Sequence, residues 1–369
     1  MIYKVIGLMS GSSLDGLDLV YVHFNENGGK WGFEIKNATC VGYSDEWATR
    51  LANATTLNAK EYLLLHNDYG RYLSDCVQDF ITKNDLHHQV DMVASHGHTT
   101  FHFPAKRMTA QLGDGATLAA GTQLPVVTDL RALDVALGGE GAPIVPIGEK
   151  LLFPGVGFFL NIGGIANITA LGTTSPVAFD VCPANRVLNM LAKERDLQFD
   201  QGGQLAASGN INDKLLEQLN DLEYYHQPYP KSLANSFGTD EIYPIIKKYG
   251  IVTEDSLRTY VEHIALQVKA SVLKIRKDLP ANTLNDADQI LITGGGALNS
   301  FLAERIQHHL VQSGITVVIP STDIINYKEA IIIALIGVLR WREEYNVIAT
   351  VTGASRNSIS GALWLGTEA

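Results

Sequence analysis

Two stretches of this 369-residue chain share one pattern: an apolar segment, a loop of small residues and a second apolar segment. They are YKVIGLMSGSSLDGLDLVYVHF at 3–24 and GVGFFLNIGGIANITALG at 155–172, and each predicts a β-hairpin. Each precedes a helical stretch and then an apolar strand that ends in a small polar loop, VDMVASHGHTT at 90–100 and QILITGGGALNSFL at 289–302. The repeated order predicts a duplicated α/β domain.

The remaining periodicity supports an alternation of strands and helices. Apolar residues recur at helical spacing over 58–82 and 254–277, and Asn185 is predicted to cap a helix over 186–195. At roughly 100–200 residues per domain, the length predicts two domains. The glycine- and proline-rich stretch DVALGGEGAPIVP marks the boundary. We therefore expect domains at 1–135 and 136–345, with 346–369 folding back onto the first.

Composition excludes some classes of protein. A net charge of −11 disfavours a general nucleic-acid or anionic-membrane binder. The three cysteines form no CxxC motif, which fits a reducing compartment. No secretory signal is recognised, and the longest apolar run, 330–339, is shorter than the about 20 residues that span a bilayer. We expect a cytoplasmic protein.

Four glycine-containing loops follow apolar strands, at 10–16, 95–99, 161–167 and 293–299. Glycine lets a backbone approach a ligand closely, and consecutive N–H groups can hold phosphate oxygens. Neither the P-loop nor the dinucleotide fingerprint is present. The arrangement favours two hairpin loops, one per domain, that hold the phosphates of one nucleotide. Each loop by itself could equally be an ordinary turn.

Three acidic residues lie in or near these loops. Asp15 and Asp18 could hold Mg²⁺ beside phosphates, although Asp18 could equally fix the hairpin. Asp180 ends the apolar stretch SPVAFD just before a predicted helix, which suits a general base. A turn aspartate gives the same pattern, so the spacing leaves this role open.

Two further groups of residues have alternative interpretations. His96, His98 and His102 could bind a metal, as in a metallohydrolase, but structural histidines near a sugar pocket are favoured. Cys182 is expected to be a small buried residue rather than a nucleophile.

Several motifs together resemble one family. GLMSGSSLDGLD resembles the GxMSGTSxDGxD signature of the anhydro-N-acetylmuramic acid kinases, and SHGHT resembles their SHGQT. NIGGIANIT is similar to their second hairpin, and FDVCPANRVLN stands where they have FDTGPGNxxxD. FDQGGQLAASGN and TGGGALN continue the resemblance in order along almost the whole chain. It implies the two-domain fold of actin, hexokinase and Hsp70, with an ATP cleft between the domains.

The resemblance also implies a reaction. In 1,6-anhydro-N-acetylmuramic acid, O6 is locked in an ether to C1. Water must therefore attack C1 while O6 takes the γ-phosphoryl group of ATP, in the presence of Mg²⁺. The products are N-acetylmuramic acid 6-phosphate and ADP, in peptidoglycan recycling. A homodimer is expected, with no nucleic-acid or membrane partner.

The resemblance assigns roles to residues in this numbering. The base is Asp180, and Asp15 holds Mg²⁺, directly or through water. ATP-binding positions are Gly11, Ser12, Ser13, Leu14, Asp15, Gly16, Leu17, Asp18, Asn161, Gly163, Gly164, Gly294, Gly295 and Gly296. Substrate-binding positions are His96, Arg131, Asn185 and Glu329. Arg131 would pair with the lactyl carboxylate, although an interdomain salt bridge is an equal alternative. Glu329 would accept sugar hydrogen bonds or support Asp180, or would cap the final helix.

The chain departs from the family pattern around the base. Val181 replaces a threonine, Cys182 and Ala184 replace glycines, and His98 and Asn189 replace a glutamine and an aspartate. Two alternatives therefore stay open: a kinase of a related amino sugar, and a non-catalytic regulator that binds nucleotide and sugar.

Overall fold

The computed structural model describes residues 1–11, 13–171, 177–229, 231–234, 236–279 and 289–366. They form two compact units: unit 1 comprises Met1–Pro154 and Tyr327–Ala369, and unit 2 comprises Gly155–Asn326. The division falls later than the expected 135/136, and the returning segment starts at Tyr327 rather than at 346. The physical reason is a helix over Pro146–Leu152, whose Glu149 pairs with Lys328 at 2.8 Å inside unit 1.

The strands and helices are as follows. The strands are β1 Ile2–Ser10, β2 Gly16–Asn27, β3 Lys30–Gly42, β4 Met92–Phe103, β5 Met108–Leu112, β6 Val126–Thr128, β7 Val156–Ile162, β8 Ile165–Ala170, β9 Val177–Pro183, β10 Gln289–Thr293, β11 Thr316–Val318 and β12 Ala362–Trp364. The helices are α1 Asp45–Ala52, α2 Ala59–Lys83, α3 Gly115–Thr122, α4 Ala132–Ala136, α5 Pro146–Leu152, α6 Asn185–Ala192, α7 Gln204–Ser208, α8 Asp213–Asn220, α9 Glu223–His226, α10 Tyr243–Lys248, α11 Thr253–Asp278, α12 Ser300–Leu310, α13 Thr322–Trp341 and α14 Ala349–Thr352.

The sheet of unit 1 has the order β12-β6-β4-β1-β2-β3, with β5 paired to β4. Strands β1, β2 and β3 are antiparallel neighbours, and β4 runs parallel to both β1 and β6. Helix α13 lies against β1 so closely that a Cβ on Gly7 would be 2.1 Å from the carbonyl oxygen of Ala330. Glycine is therefore required at position 7 by packing.

The sheet of unit 2 has the order β11-β10-β7-β8-β9. Strands β7, β8 and β9 are antiparallel neighbours, and β10 runs parallel to both β7 and β11. β7, β8, β9, β10 and β11 thus repeat the arrangement of β1, β2, β3, β4 and β6. The repeated hairpins and the α/β class are confirmed. The loop predicted at 95–99 is wrong, because β4 continues through these residues to Phe103 and pairs there with β5.

The two long predicted helices are confirmed as α2 and α11. In α2, Tyr69, Leu73 and Val77 are fully buried in the core of unit 1, as their spacing predicts. The predicted cap of α6 is wrong by one residue, because Ala184 precedes the helix and the Asn185 side chain bonds elsewhere. Among the helices that the structure describes, none is long and apolar enough to cross a membrane.

Candidate active site

The first hairpin has a shorter loop than the motif suggests. Strand β2 already begins at Gly16, so Gly16, Leu17 and Asp18 are strand residues. A Cβ on Gly16 would lie 2.7 Å from the carbonyl oxygen of Val41, and the Leu17 side chain is 1% exposed in the core. The connecting loop is therefore 11–15, of which Gly11, Ser13, Leu14 and Asp15 are described and Ser12 lies outside the described residues.

Hydrogen bonds anchor both sides of this loop. Ser13 Oγ donates to Asp15 Oδ1 at 2.6 Å, and Leu14 has a left-handed backbone with φ 59°. At the end of β1, Ser10 Oγ accepts a hydrogen bond from the Tyr43 hydroxyl at 2.7 Å and lies 2.9 Å from His98 Nδ1. The loop thus starts from a fixed, buried position.

Two exposed carboxylates of unit 1 act on a third, that of Asp18. Asp18 is half-buried next to Cys40, while Asp15 and Glu329 are exposed. Burial raises the pKa of Asp18, and the negative charges of Asp15 and Glu329 raise it further. Negative charge around Asp18 favours a cation nearby, and carboxylate oxygens are the protein ligands that Mg²⁺ uses. Asp15 and Asp18 therefore fit a magnesium site by their chemistry.

Arg131 and His96 form a buried pair in unit 1. Arg131 Nε donates to His96 Nε2 at 2.8 Å, and His96 Nδ1 lies 2.9 Å from the Gly97 carbonyl oxygen. Because arginine only donates and a carbonyl only accepts, His96 is the neutral tautomer with its proton on Nδ1. Burial, and then the charge of Arg131, lowers the pKa of His96 to about 3.

This pair holds the guanidinium in a fixed direction. Arg131 Nη1 also donates to the Gly141 carbonyl oxygen at 2.5 Å. Burial lowers the pKa of Arg131, and the charges of Glu329 and Asp134 oppose that shift. Within the described residues, neither hydrogen of Arg131 Nη2 has a hydrogen-bond acceptor. The group can therefore still bind an anion.

The glycine loops of unit 2 meet at one end of its sheet. The turn between β7 and β8 is Gly163–Gly164, whose carbonyl oxygens accept hydrogen bonds from the N–H groups of Asn185 at 3.0 Å and Ala184 at 2.8 Å. The Asn185 amide donates to the Ile162 carbonyl oxygen at 3.1 Å. The structure thus brings together the residues that the sequence predicted for this end of unit 2. Asn185 connects α6 to the turn.

The loop after β10 packs on the same turn. A Cβ on Gly294 would lie 2.6 Å from Asn161 Oδ1, and one on Gly296 would lie 2.2 Å from Ile162 Cγ2. Gly294 also has φ +77°, whereas Gly295 is exposed. Two of the three glycines are therefore required by close packing, and Gly295 is accessible.

A cavity of about 450 Å³ opens beside these glycines within unit 2. Its walls are Asn185, Leu188, Asn189, Phe199, Asp200, Gln201, Gly202, Gly295, Leu298 and Asn299. Sequence reasoning assigned a role only to Asn185 and Gly295 among them. The FDQGGQLAASGN motif was the available signal for the Phe199–Gly202 wall. Its apolar and amide side chains suit a flat, polar-edged ligand.

Asp180 lies inside β9 rather than at its end, because pairing with β8 continues to Pro183. The register places it opposite Asn167, which in turn is opposite Asn161 on β7. Val181 is the extra residue of a bulge at this point. Bulges commonly re-aim side chains next to active sites. Asn167, a neighbour that sequence reasoning missed, is the last residue of NIGGIAN.

The three histidines considered as metal ligands do not come together. His96 is bound to Arg131, His98 to Ser10, and His102 Nδ1 lies 3.0 Å from Thr109 Oγ1. In the part of the chain that the structure describes, no group of three His, Cys, Asp or Glu side chains is placed to hold a metal ion. The side-chain geometry therefore does not favour the metallohydrolase alternative. Cys182 is fully buried, and burial raises the pKa of its thiol, which disfavours a nucleophile.

Comparison with known proteins supplies the family. Residues 3–366 match the family described as anhydro-N-acetylmuramic acid kinase. The chain belongs to this family. It is 32% identical over 378 residues to the anhydro-N-acetylmuramic acid kinase of Aliivibrio fischeri, with 98% of this chain and 99% of the relative covered. It is 30% identical to that of Vibrio parahaemolyticus, with 97% of both chains covered.

Similarity to solved structures is weaker. The activator of the 2-hydroxyisocaproyl-CoA dehydratase from Clostridium difficile with bound ADPNP has a TM-score of 0.43 at 14% identity, covering 92% of this chain and 96% of that one.

Proposed function

We propose that this protein is the ATP-dependent kinase that opens and phosphorylates 1,6-anhydro-N-acetylmuramic acid, with Asp180 as the base. Membership of the family across residues 3–366 supports the reaction. The observation that carries the assignment is the carboxylate of Asp180, held in place on β9 within the unit that carries the Gly163–Gly164 turn.

The reaction balances as one coupled displacement. The oxygen of water forms a bond to C1 while the C1–O6 bond breaks, and the electron pair goes to O6. O6 forms a bond to the γ-phosphorus of ATP, and the bond to the β–γ bridging oxygen breaks to release ADP. The proton lost by the water passes to the Asp180 carboxylate. A positioned base typically contributes about 10²–10⁴-fold to the rate.

Unit 2 supplies the groups for the nucleotide. The backbone of the Gly163–Gly164 turn lies against the phosphates of ATP, and the cavity beside Gly295 binds the adenosine. The rest of the catalysis is positioning of the reactants, which phosphoryl transfer chiefly requires.

Unit 1 supplies the charged groups. Arg131, fixed by His96, binds the lactyl carboxylate of the sugar, a geometry that a guanidinium suits. Glu329, exposed on α13 and close enough to affect the pKa of Arg131, accepts hydrogen bonds from the sugar. Mg²⁺ would be held by Asp15, with Asp18 nearby, and would neutralise phosphate charge.

The test is ADP release with Mg-ATP and the anhydro sugar in ¹⁸O-labelled water, with the product mass determined. The expected product is 6-phosphorylated and carries ¹⁸O at the anomeric position. N-acetylmuramic acid and a reaction without sugar are the controls. Preferential turnover of N-acetylmuramic acid would favour the related amino-sugar kinase. Nucleotide and sugar binding without turnover would favour the regulator.

The homodimer and the cytoplasmic location stay predictions. Light scattering of the purified protein tests the first, and a mass of one chain, 40.1 kDa, would contradict it.

A further inference from the structure

One segment after β9 holds Asp180 at three points. The backbone N–H of Asp180 donates to the Lys231 carbonyl oxygen at 3.1 Å. Its carbonyl oxygen accepts from the Tyr224 hydroxyl at 2.7 Å, and its Oδ2 accepts from the Leu233 N–H at 2.9 Å. We refer to Tyr224, Lys231 and Leu233 as the Asp180 clamp. It fixes both the peptide and one carboxylate oxygen of the base.

Two residues of the clamp also contact each other. Lys231 Nζ donates to the Tyr224 carbonyl oxygen at 2.9 Å and lies 4.3 Å from the centre of the Tyr224 ring. Tyr224 is 8% exposed and packs against Phe237 at 5.7 Å. Burial and the charge of Asp180 raise the pKa of the Tyr224 hydroxyl, so it stays protonated as a donor. The clamp is therefore a preformed support.

The two carboxylate oxygens of Asp180 are not equivalent. Oδ2 is occupied by Leu233, whereas none of the described residues donates a hydrogen bond to Oδ1. A base can take a proton only through an oxygen with a free lone pair in the right direction. The fixed Oδ2 thus defines where Oδ1 points.

We propose that Tyr224 is a positioning residue for the base, and that the clamp directs Asp180 Oδ1 to accept the proton from the attacking water. This inference rests on the proposed function. The Tyr224 hydroxyl restrains the Asp180 carbonyl group. Because the carbonyl and the carboxylate belong to one residue, loss of that restraint should also disturb the bond between Oδ2 and the Leu233 N–H. Small displacements of a catalytic group are costly because the reacting atoms must be aligned.

The first test compares two adjacent tyrosines. Tyr224→Phe keeps the ring and removes the donor, and we expect kcat to fall about tenfold with both KM values within twofold. Tyr225→Phe is the matched control, because its hydroxyl lies 3.1 Å from His263 Nε2 and does not bond to Asp180. Its kcat should stay within twofold. An unchanged kcat in Tyr224→Phe, or equal losses in both variants, would overturn the proposal.

The second test separates positioning from general stability. In an Asp180→Asn background, Tyr224→Phe should lower the residual kcat no further, because it acts only through the base. A further tenfold loss there would show an effect that does not pass through Asp180, and the inference would fail.

A third measurement keeps this inference distinct from the proposed function. Crystal structures of the wild type and Tyr224→Phe should show Oδ2 released from the Leu233 N–H in the variant only. If the wild type does not phosphorylate the anhydro sugar, the proposed function fails, yet the clamp is still judged by this comparison. An unmoved carboxylate would refute it.

Discussion

The two units have the same strand arrangement but place different chemistry at equivalent strand ends. In unit 1, five residues join β1 to β2 and include the exposed Asp15; in unit 2, two glycines join β7 to β8. Within β4, His96 supports Arg131, whereas just after β10, Gly294 packs on Ile162. Unit 1 therefore contributes most of the charged side chains of the candidate site. Unit 2 contributes closely packed glycine loops and the proposed base, Asp180.

This contrast separates what topology decides from what side chains decide. The strand order determines that the first hairpin of either unit lies beside a parallel strand, β4 in unit 1 and β10 in unit 2. The residues at those positions then determine the chemistry, as in other folds that host several functions. If this division is right, substitution of Arg131 in unit 1 should alter sugar binding, and substitutions of Asp180 and Gly294 in unit 2 should alter turnover and nucleotide binding.

The largest effect is expected in unit 2 at the base. Asp180→Asn preserves shape and removes the proton acceptor, so kcat should fall about 10²–10⁴-fold. Affinity for ATP, measured by calorimetry, should remain within a few-fold. Unchanged turnover would remove Asp180 as the base.

A smaller effect is expected in unit 1 at the guanidinium. Arg131→Met should raise KM for the anhydro sugar about 10–100-fold, because a charge-assisted hydrogen bond to its carboxylate is lost. KM for ATP should change little. Steady-state kinetics with each substrate varied in turn gives both values. If KM for the sugar barely moves, the lactyl carboxylate is held elsewhere.

Packing around the glycines of unit 2 can be tested by a matched pair. Gly294→Ala introduces a Cβ 2.6 Å from Asn161 Oδ1 at φ +77°, so we expect a loss of about 1–3 kcal/mol in unfolding free energy and weaker ATP binding. Gly163→Ala is the control, since its nearest contact is 3.6 Å away. Denaturant unfolding measures both, and equal losses would argue against the packing explanation.

A pH dependence of stability should be shared by both units. Burial lowers the pKa of His96 in unit 1 and of His263 in unit 2 to about 3. Below about pH 6.5 the unfolded chain binds protons that the folded chain does not, so stability is lost as the pH falls toward 3. Each histidine should lower the unfolding free energy by about 2 kcal/mol between pH 7 and pH 5.

Denaturant unfolding at the two pH values measures this change, and His263→Gln should reduce it. If the unfolding free energy of His263→Gln changes between pH 7 and pH 5 as much as that of the wild type, the lowered pKa of His263 is contradicted.

Local pattern predicted much of the fold. Both hairpins, α2 and α11 follow from periodicity, which depends on near neighbours in sequence. The unit boundary did not follow, because α5 belongs to unit 1 through Glu149 and Lys328, which are 179 positions apart. No local feature of the sequence indicates that contact.

The site divides in the same way. The glycine loops and Asp180 stand out by composition and by resemblance. Tyr224 and Leu233 do not, because they lie 44 and 53 positions from Asp180. The Tyr224 hydroxyl bonds to the Asp180 backbone carbonyl, and Leu233 uses its backbone N–H, groups that no local motif marks. The side chains of the cavity walls are likewise ordinary leucine, asparagine and phenylalanine, and only their arrangement makes a cavity.

The chain passes from unit 1 to unit 2 after Pro154 and returns to unit 1 at Tyr327, which has a consequence for biosynthesis. Unit 2 is continuous and is complete once residue 326 has left the ribosome. Unit 1 has to wait, because α13 covers β1 and β12 adds the edge strand beside β6 only at 362–364. The part of the protein translated first should therefore be the last to finish folding, and a nascent unit 1 would expose apolar surface while unit 2 is being made.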